Sequence, residues 1–390
     1  MRCLRLDNPV PRRIATVLAT ISIWFSATVT VADNFRAPPA PNINARSYLM
    51  LDFQSGKVLA EKNADEQVEP ASITKIMTVY VAGHALREGH IRLDDEVTVS
   101  EKAWRTEGSR MFIEVGKQVT VDALLDGIIV QSGNDASVAL AEHISGSEAS
   151  FAVVMNDYAH TLGMKHSSFA NATGLPDPGT YVTARDVTRL SAALIREFPE
   201  LYSRFSKKEF TYNEIRQPNR NRLLYRDEGV DGIKTGHTEA AGYCLVSSAS
   251  RNGMRLVAAV MGTESDRART ESSSALLRHG FRFFESRRLY AAGTTVLDAK
   301  IWRGSSESIA VGVIEHADIV FPRGRYDKLQ ATATVNDPLM APLTRGDVVG
   351  SVQVRLEGEL ISEFNLHALE DAAEGSFFSR TLDDLMMMFE

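Results

Sequence analysis

The hydrophobic and polar positions of this 390-residue chain fall into four successive textures. Ile14 to Val31 is an uncharged, mostly apolar run close to the N-terminus. A long middle section follows in which the helical period dominates. Its clearest stretch is Glu148 to Leu162, where Phe151, Val154, Met155, Tyr158 and Leu162 share one face and Gly163 supplies a stop. Ile76 to Leu86 and Ala123 to Val130 read as further helices, another opens near Asp135, and Glu271 to Phe284 closes the section. Between them lie strand signals. Ser47 to Leu59 forms a hairpin around Gln54-Ser55-Gly56, and Gly242 to Ala249 pairs with Met254 to Met261 through Arg251-Asn252-Gly253. After Arg288 the period changes to short β-type runs at Ile301, Ile309 to Val313, Ile319 to Phe321, Leu329 to Val335 and Val348 to Leu356, with turns at Gly304, Asn336-Asp337-Pro338 and Glu357-Gly358. The last texture is a short amphipathic helix. Phe377, Phe378, Leu382, Leu385, Met386, Met388 and Phe389 fill one half of its wheel; Ser379, Arg380, Asp383, Asp384 and Glu390 take the other, with Met387 out of place.

These textures predict a signal peptide over residues 1–32, a Pro/Ala/Asn-rich linker over 33–44, a mixed α/β catalytic domain over 45–287, a smaller all-β domain over 288–372, and an amphipathic helix over 376–390. The signal assignment rests on Arg2, Arg5, Arg12 and Arg13 ahead of the apolar run and on small residues Thr30 and Ala32 at its end. The Thr and Ser within the run favour cleavage over an uncleaved anchor. Apolar residues at 44% and charged residues at 24% fit a globular protein. A net charge of −7 with no basic block argues against nucleic-acid binding. Removing residues 1–32 takes away four arginines and one aspartate, so the mature chain is more acidic still. Cys3 leaves with that segment and Cys244 stands alone, which excludes an intramolecular disulfide and leaves stability to the core.

Three short motifs occur in order: Ser72-Ile73-Thr74-Lys75, Ser132-Gly133-Asn134 and Lys234-Thr235-Gly236. Each is weak alone, and a helix cap beside a surface lysine explains the first as simply. The joint occurrence is far stronger: Ser72 is the only serine with a lysine three residues on, and Lys-Thr-Gly occurs once. A serine hydroxyl needs a base to become a nucleophile. If Ser72 opens a helix, Lys75 lies one turn on, on the same face. A lysine forced beside a second cation, here Lys234, loses basicity and serves as that base. The helix N-terminus meanwhile offers backbone N–H groups to a developing oxyanion. Lys234 also fits a solvated strand edge, but Gly236 two residues on suggests close approach of a ligand to the strand. Asn134 suits a cap for the helix near Asp135 as well as a substrate contact.

With their flanks (Pro70-Ala71 before the first motif, Gln131 before and Asp135-Ala136 after the second, Asn219-Arg220-Asn221, Asp231-Gly232-Ile233 before and His237-Thr238 after the third) these motifs resemble the low-molecular-mass penicillin-binding proteins, namely the D-alanyl-D-alanine carboxypeptidases of the penicillin-binding protein 5 type. The β-rich tail and terminal amphipathic helix extend the resemblance over nearly the whole mature chain. It implies a β-lactamase/transpeptidase-like fold, an antiparallel sheet flanked by helices with the site at their junction. It implies an acyl-enzyme on Ser72, catalytic roles for Lys75, Ser132 and Lys234, and an oxyanion hole from the backbone N–H groups of Ser72 and His237. Ser132 would relay a proton to the leaving D-alanine, Asn134 would hold the substrate amide, and Thr235 and Arg269 would meet the terminal carboxylate. Arginine suits that last task because its planar fork binds carboxylate bidentately; Arg267 lies two residues away.

On this reading the substrate is the peptidoglycan stem peptide, β-lactams acylate Ser72, and no cofactor is needed. The nine histidines show no metal-ligand spacing, His237 matters through its backbone rather than as part of a Ser-His-Asp triad, and Cys244 is a buried inert thiol. A D,D-endopeptidase would use the same chemistry. A serine β-lactamase is disfavoured because no Glu-x-x-Leu-Asn segment lies between Asn134 and Lys234. A wall-binding pseudo-enzyme is disfavoured because every catalytic position holds the required residue type. The expected location is the periplasm at the outer face of the cytoplasmic membrane, with the terminal helix in peripheral contact. One arginine against three acids on its polar face implies slight repulsion from anionic lipid, so apolar burial must supply its affinity.

Overall fold

A computed structural model describes residues 2–4 and 37–388. Apart from those three residues, the expected signal segment lies outside the described residues. The chain separates into two compact units, one over Pro39–Phe283 and one from Phe284 onward.

The first unit is built on a five-stranded antiparallel sheet. Its strands are β1 (Ser47–Asp52), β2 (Val58–Lys62), β3 (Val230–Thr238), β4 (Gly242–Arg251) and β5 (Met254–Thr263), in the order β2-β1-β5-β4-β3. The β4–β5 hairpin turns where the sequence predicts. Asn252 and Gly253 both take positive φ, 50° and 80°, the backbone that a tight two-residue hairpin turn requires. Cys244 to Ala249 are buried at every position, so both faces of the sheet are covered there. Helix α1 (Lys75–Arg87) is buried from Lys75 through Ala85, on all its sides, and so runs through the core. Around it stand α2 (Asn134–Ser145), α3 (Glu148–Thr161) and α4 (Ala184–Glu197), while α5 (Asp266–Phe283) packs on β4 and β5. Ile76, Met77, Val79, Leu124, Ile128, Leu140 and Phe151 are fully enclosed in one apolar cluster.

Two local differences from the sequence pattern bear on the site. The stretch read as one helix from Ala123 to Val130 is a short helix, Val121–Asp126, followed by a wider π-type turn over Gly127–Gln131. The turn ends on Ser132 in the left-handed region at φ 67°, which aims the second motif away from the helix axis. Helix α4 is not among the helices of the pattern reading, although Val187, Leu190, Leu194 and Ile195 give it an apolar buried face beside Ala184, Ala192 and Ala193.

The second unit is all-β. Its strands are β6 (Phe284–Tyr290), β7 (Thr295–Lys300), β8 (Ser308–Gly312), β9 (Ala317–Pro322), β10 (Leu329–Val335), β11 (Val348–Leu356) and β12 (Glu359–Ala368). One sheet runs β10-β11-β12-β8-β7, with Arg2–Leu4 paired on the β10 edge; β6 pairs with β9. Along β11 the buried Val352 and Val354 alternate with Gln353 and Arg355, the period-2 pattern of a sheet with one covered face. Ile301, read as a β-type run, is buried but lies outside the named strands. The unit ends in α6 (Phe377–Met387), whose N-terminus is capped by Ser376. The acids of α6 turn toward the unit's own backbone: Asp383 accepts from the Arg303 N–H at 2.6 Å, and Asp384 pairs with the Arg303 guanidinium at 2.5 Å. The guanidinium offsets one of the two charges, which removes part of the lipid repulsion that the wheel implies. Phe377, Phe378, Leu382 and Leu385 stay exposed, Phe378 at 85%. No helix among the described residues is long and apolar enough to cross a membrane.

Candidate active site

The first motif lies on a tight turn. Ala71–Thr74 form one 3-10 turn that runs directly into α1 at Lys75, so Ser72 precedes the α-helix instead of opening it. The expected geometry survives: Lys75 Nζ stands 3.2 Å from Ser72 Oγ. Two carbonyl groups hold the amine there. Nζ donates to Asn134 Oδ1 and to the Thr173 main-chain oxygen, both at 2.6 Å. An amine with two N–H bonds committed to carbonyls turns its remaining valence to Ser72. Lys75 is fully buried, and burial, reinforced by Arg220, pulls its pKa down to about 7 against the opposing fields of Asp135 and Glu148.

Neighbouring backbone packs tightly on this turn. Gly174 has φ 77°, and a Cβ there would overlap the Ala71 carbonyl. Gly236, in β3, would place a Cβ 2.9 Å from the Pro70 oxygen and 3.1 Å from Ile73. The close approach inferred at Gly236 is thus made by the protein's own nucleophile turn.

The second motif supplies Ser132, whose hydroxyl is buried and makes no hydrogen bond among the described residues. Asn134 is the first residue of α2 rather than its side-chain cap. Besides accepting from Lys75, it donates from Nδ2 to the Glu107 oxygen at 2.6 Å, and its N–H donates to Ser109 O at 2.7 Å. Asp135 next to it accepts from the N–H groups of Met111, Phe112 and Ile113 at 2.8, 2.9 and 3.3 Å. Together these residues tie the Trp104–Phe112 segment to the rim of the site.

The third motif lies on β3. Lys234 is buried, and its Nζ donates to the Thr235 oxygen at 3.0 Å. Burial foremost, then Lys75, Arg220 and Arg269, pushes its pKa well below the ordinary range. A pocket of about 670 Å³ is lined by Ser72, Ser132, Asn134, Thr235, Gly236, His237 and Arg269. Seven of the nine residues expected in the site therefore share one wall, while Lys75 and Lys234 lie buried, Lys75 against Ser72. The His237 ring stacks on Tyr243 with centroids 3.9 Å apart and has no bond to Ser72, which leaves no triad. Arg267 points to solvent and pairs with Glu271, so of these two arginines Arg269 is the one that lines the pocket. Cys244 is fully buried, and burial raises its thiol to about 11.

The pocket also contains residues to which the motifs assign no role: Ser109, Arg220, Arg222, Tyr243 and Asp266. Arg220 was visible only as a flank. Thr173, which anchors Lys75, acts through its main-chain carbonyl and leaves no side-chain signal. Its turn is built by Asn171, whose Oδ1 accepts from Thr173 N, Thr173 Oγ1 and Gly174 N.

A serine with a buried lysine of lowered basicity against it, at the junction of a helical core and an antiparallel sheet, defines a serine acyl-transfer enzyme of the penicillin-binding kind. The chain belongs to the D-alanyl-D-alanine carboxypeptidase family, which it matches over residues 34–265, and residues 284–374 match the C-terminal domain of penicillin-binding protein 5. It is a serine-type carboxypeptidase. It is 46% identical over 358 residues to the D-alanyl-D-alanine carboxypeptidase DacC of Escherichia coli (strain K12), covering 90% of each chain. It is 42% identical over 390 residues to DacA of the same organism, covering 97% of each. Among solved structures it superposes on penicillin binding protein 5 from Haemophilus influenzae with a TM-score of 0.85 and 41% identity, over 86% of this chain and 100% of that one.

Proposed function

We propose that the protein removes the terminal D-alanine from peptidoglycan stem peptides through an acyl-enzyme on Ser72. The observation that carries this reading is the Lys75 amine, held by two carbonyl oxygens with Ser72 Oγ as its third neighbour. Ser72 Oγ attacks the carbonyl between the last two D-alanines while Lys75 takes its proton. Charge on the carbonyl oxygen is met by the backbone N–H groups of Ser72 and His237. Ser132, with Lys234 behind it, passes a proton to the departing amine, and the C–N bond breaks. Water then hydrolyses the ester with the same base and frees Ser72.

Asn134 holds the substrate amide with whatever hydrogen-bonding capacity Lys75 and Glu107 leave it. Thr235, Gly236 and Arg269 form the wall that receives the terminal carboxylate, and Arg269 supplies the positive charge. The strained amide of a β-lactam is attacked in the same way. The chain acts after export, at the outer face of the cytoplasmic membrane, where the exposed rings of α6 enter the lipid surface. Intact-mass analysis with penicillin, beside a D-alanine release assay on a pentapeptide ending in D-alanyl-D-alanine, tests the reading. An adduct on Ser72 with release supports it; no adduct and no release overturns it.

A further inference from the structure

Arg269 is among the most enclosed charged groups of the pocket, and four of its five N–H donors are already committed. Nη1 donates to the main-chain oxygens of Gly236 at 3.0 Å and Cys244 at 3.4 Å. A guanidinium grips a carboxylate by its Nε/Nη2 edge or its Nη1/Nη2 edge, and the second is hampered here because Nη1 is taken by the two main-chain oxygens. Nε and Nη2 both donate to Asp266 Oδ1, at 2.9 and 2.5 Å. The second oxygen of Asp266 accepts from Arg222 Nε at 2.6 Å. All three residues line the pocket that holds Ser72. Exposure rises along the series: the side chain is 8% exposed in Arg269, 27% in Asp266 and 57% in Arg222.

The Nε/Nη2 edge, the one not held by main-chain oxygens, is therefore filled by a carboxylate of the protein itself. Two anions cannot share that edge without strong mutual repulsion. Simple ejection of Asp266 would leave a charge unpaired in a partly buried place, which is costly. Arg222 removes that cost. It already holds the other oxygen of Asp266 and is the most exposed of the three, so Asp266 can turn onto it and remain paired throughout.

We propose that Asp266 is a positioning residue that holds the fork of Arg269 in the free enzyme and cedes it to the terminal carboxylate of the substrate, with Arg222 taking Asp266 over. The proposal rests on the reading of Arg269 as the carboxylate receptor. It makes the exchange a specificity device: a peptide with a free C-terminal carboxylate displaces Asp266, whereas a neutral C-terminus leaves it in place.

Steady-state release of D-alanine from a D-alanyl-D-alanine pentapeptide by the full chain tests this. Asp266→Asn weakens the competitor and lowers KM roughly three- to tenfold. Arg222→Ala removes the receiving partner and raises KM by a similar factor, and Arg222→Lys restores it in part. The double variant follows Asp266→Asn alone. The change falls on KM and not on kcat, because the exchange belongs to the binding step. A pentapeptide with a C-terminal carboxamide gains nothing from Asp266→Asn. A KM that rises in both single variants makes Asp266 a plain brace and overturns the proposal, as does an unchanged KM in Asp266→Asn. Arg269→Ala separates the premise from the proposal: if its KM is unchanged, the receptor assignment itself fails, whatever the other variants do.

Discussion

Lys75 Nζ donates to Asn134 Oδ1 across 59 residues of sequence at 2.6 Å, and this bond joins the first motif to the second. It fixes which face of the amine meets Ser72. With the pKa of Lys75 drawn down to about 7, the amine is half neutral near neutral pH. The acylation rate by penicillin should rise with pH through about 7 and level off above it, falling about tenfold per unit on the acid side. Stopped-flow acylation between pH 5.5 and 8.5 measures this; a flat profile would remove Lys75 as the base.

The same shift has a thermodynamic sign. Lys75 in the folded chain loses its proton near 7, whereas in the unfolded chain it keeps it to about 10.5. Between those values the unfolded state binds more protons, so the contribution of Lys75 to stability rises with pH, and below about 7 it is flat. The melting temperature of the wild type minus that of Lys75→Met should therefore grow more positive from pH 7 to 9. Thermal melts of the two proteins across that window give the slope.

Gly174 and Gly146 share a left-handed backbone but not an environment. A Cβ at Gly174 meets the Ala71 carbonyl, while one at Gly146 meets nothing within 4 Å. Gly174→Ala should displace the Ser72 turn and slow acylation by more than about 100-fold, the scale expected for a misplaced nucleophile. Gly146→Ala should cost only about 1 kcal/mol of stability, with acylation unchanged. Intact-mass time courses and urea melts separate the two.

Asp135 holds the loop of the site as well as acting on Lys75 through its field. Its carboxylate accepts from the N–H of Ala136 and from three N–H groups of the loop, among them that of Phe112, which is held at a positive φ of 70°. Asp135→Ala leaves those donors unpaired and should cost roughly 3 kcal/mol. Part of the loss should appear as higher KM, because the Glu107 and Ser109 carbonyls that hold Asn134 belong to the same segment. Chemical denaturation and peptide kinetics together read both effects.

The apolar face of α6 predicts its own salt response. With Asp383 and Asp384 tied to Arg303, vesicle binding by the full chain should vary little between low and high NaCl and depend on burial of the Phe377 and Phe378 rings. Each ring contributes on the order of 2 kcal/mol. Sedimentation with phosphatidylglycerol-containing vesicles should show Phe377→Ser with Phe378→Ser largely in the supernatant.

The chemistry at Ser72 was legible because its partner lies three residues on, a separation that helical geometry turns into contact. The hairpin at Asn252-Gly253 and the alternation in β11 were legible for the same reason, since each is a short-range rule. The Thr173 carbonyl was not, because a backbone oxygen has no letter. Nor was the line from Arg269 through Asp266 to Arg222: the step from Asp266 to Arg269 is a helical spacing, but Arg222 arrives from a different element and its meeting with Asp266 is purely tertiary. Ser72, half-buried, suits a helix start by its residue type. The structure places it on a 3-10 turn, where strand β3 and the Gly174 backbone press on it from two sides.

Cys244 lies within this packing, its thiol raised to about 11 and its carbonyl on Arg269. At neutral pH roughly one such group in ten thousand is thiolate, and little solvent or oxidant reaches it. In the folded chain Cys244 is thus closed to mixed-disulfide formation. In a chain lacking Cys3, a single cysteine introduced on the surface would react against an almost silent background, so a dye, a spin label or a crosslinker could report on the rim of the pocket from one chosen position.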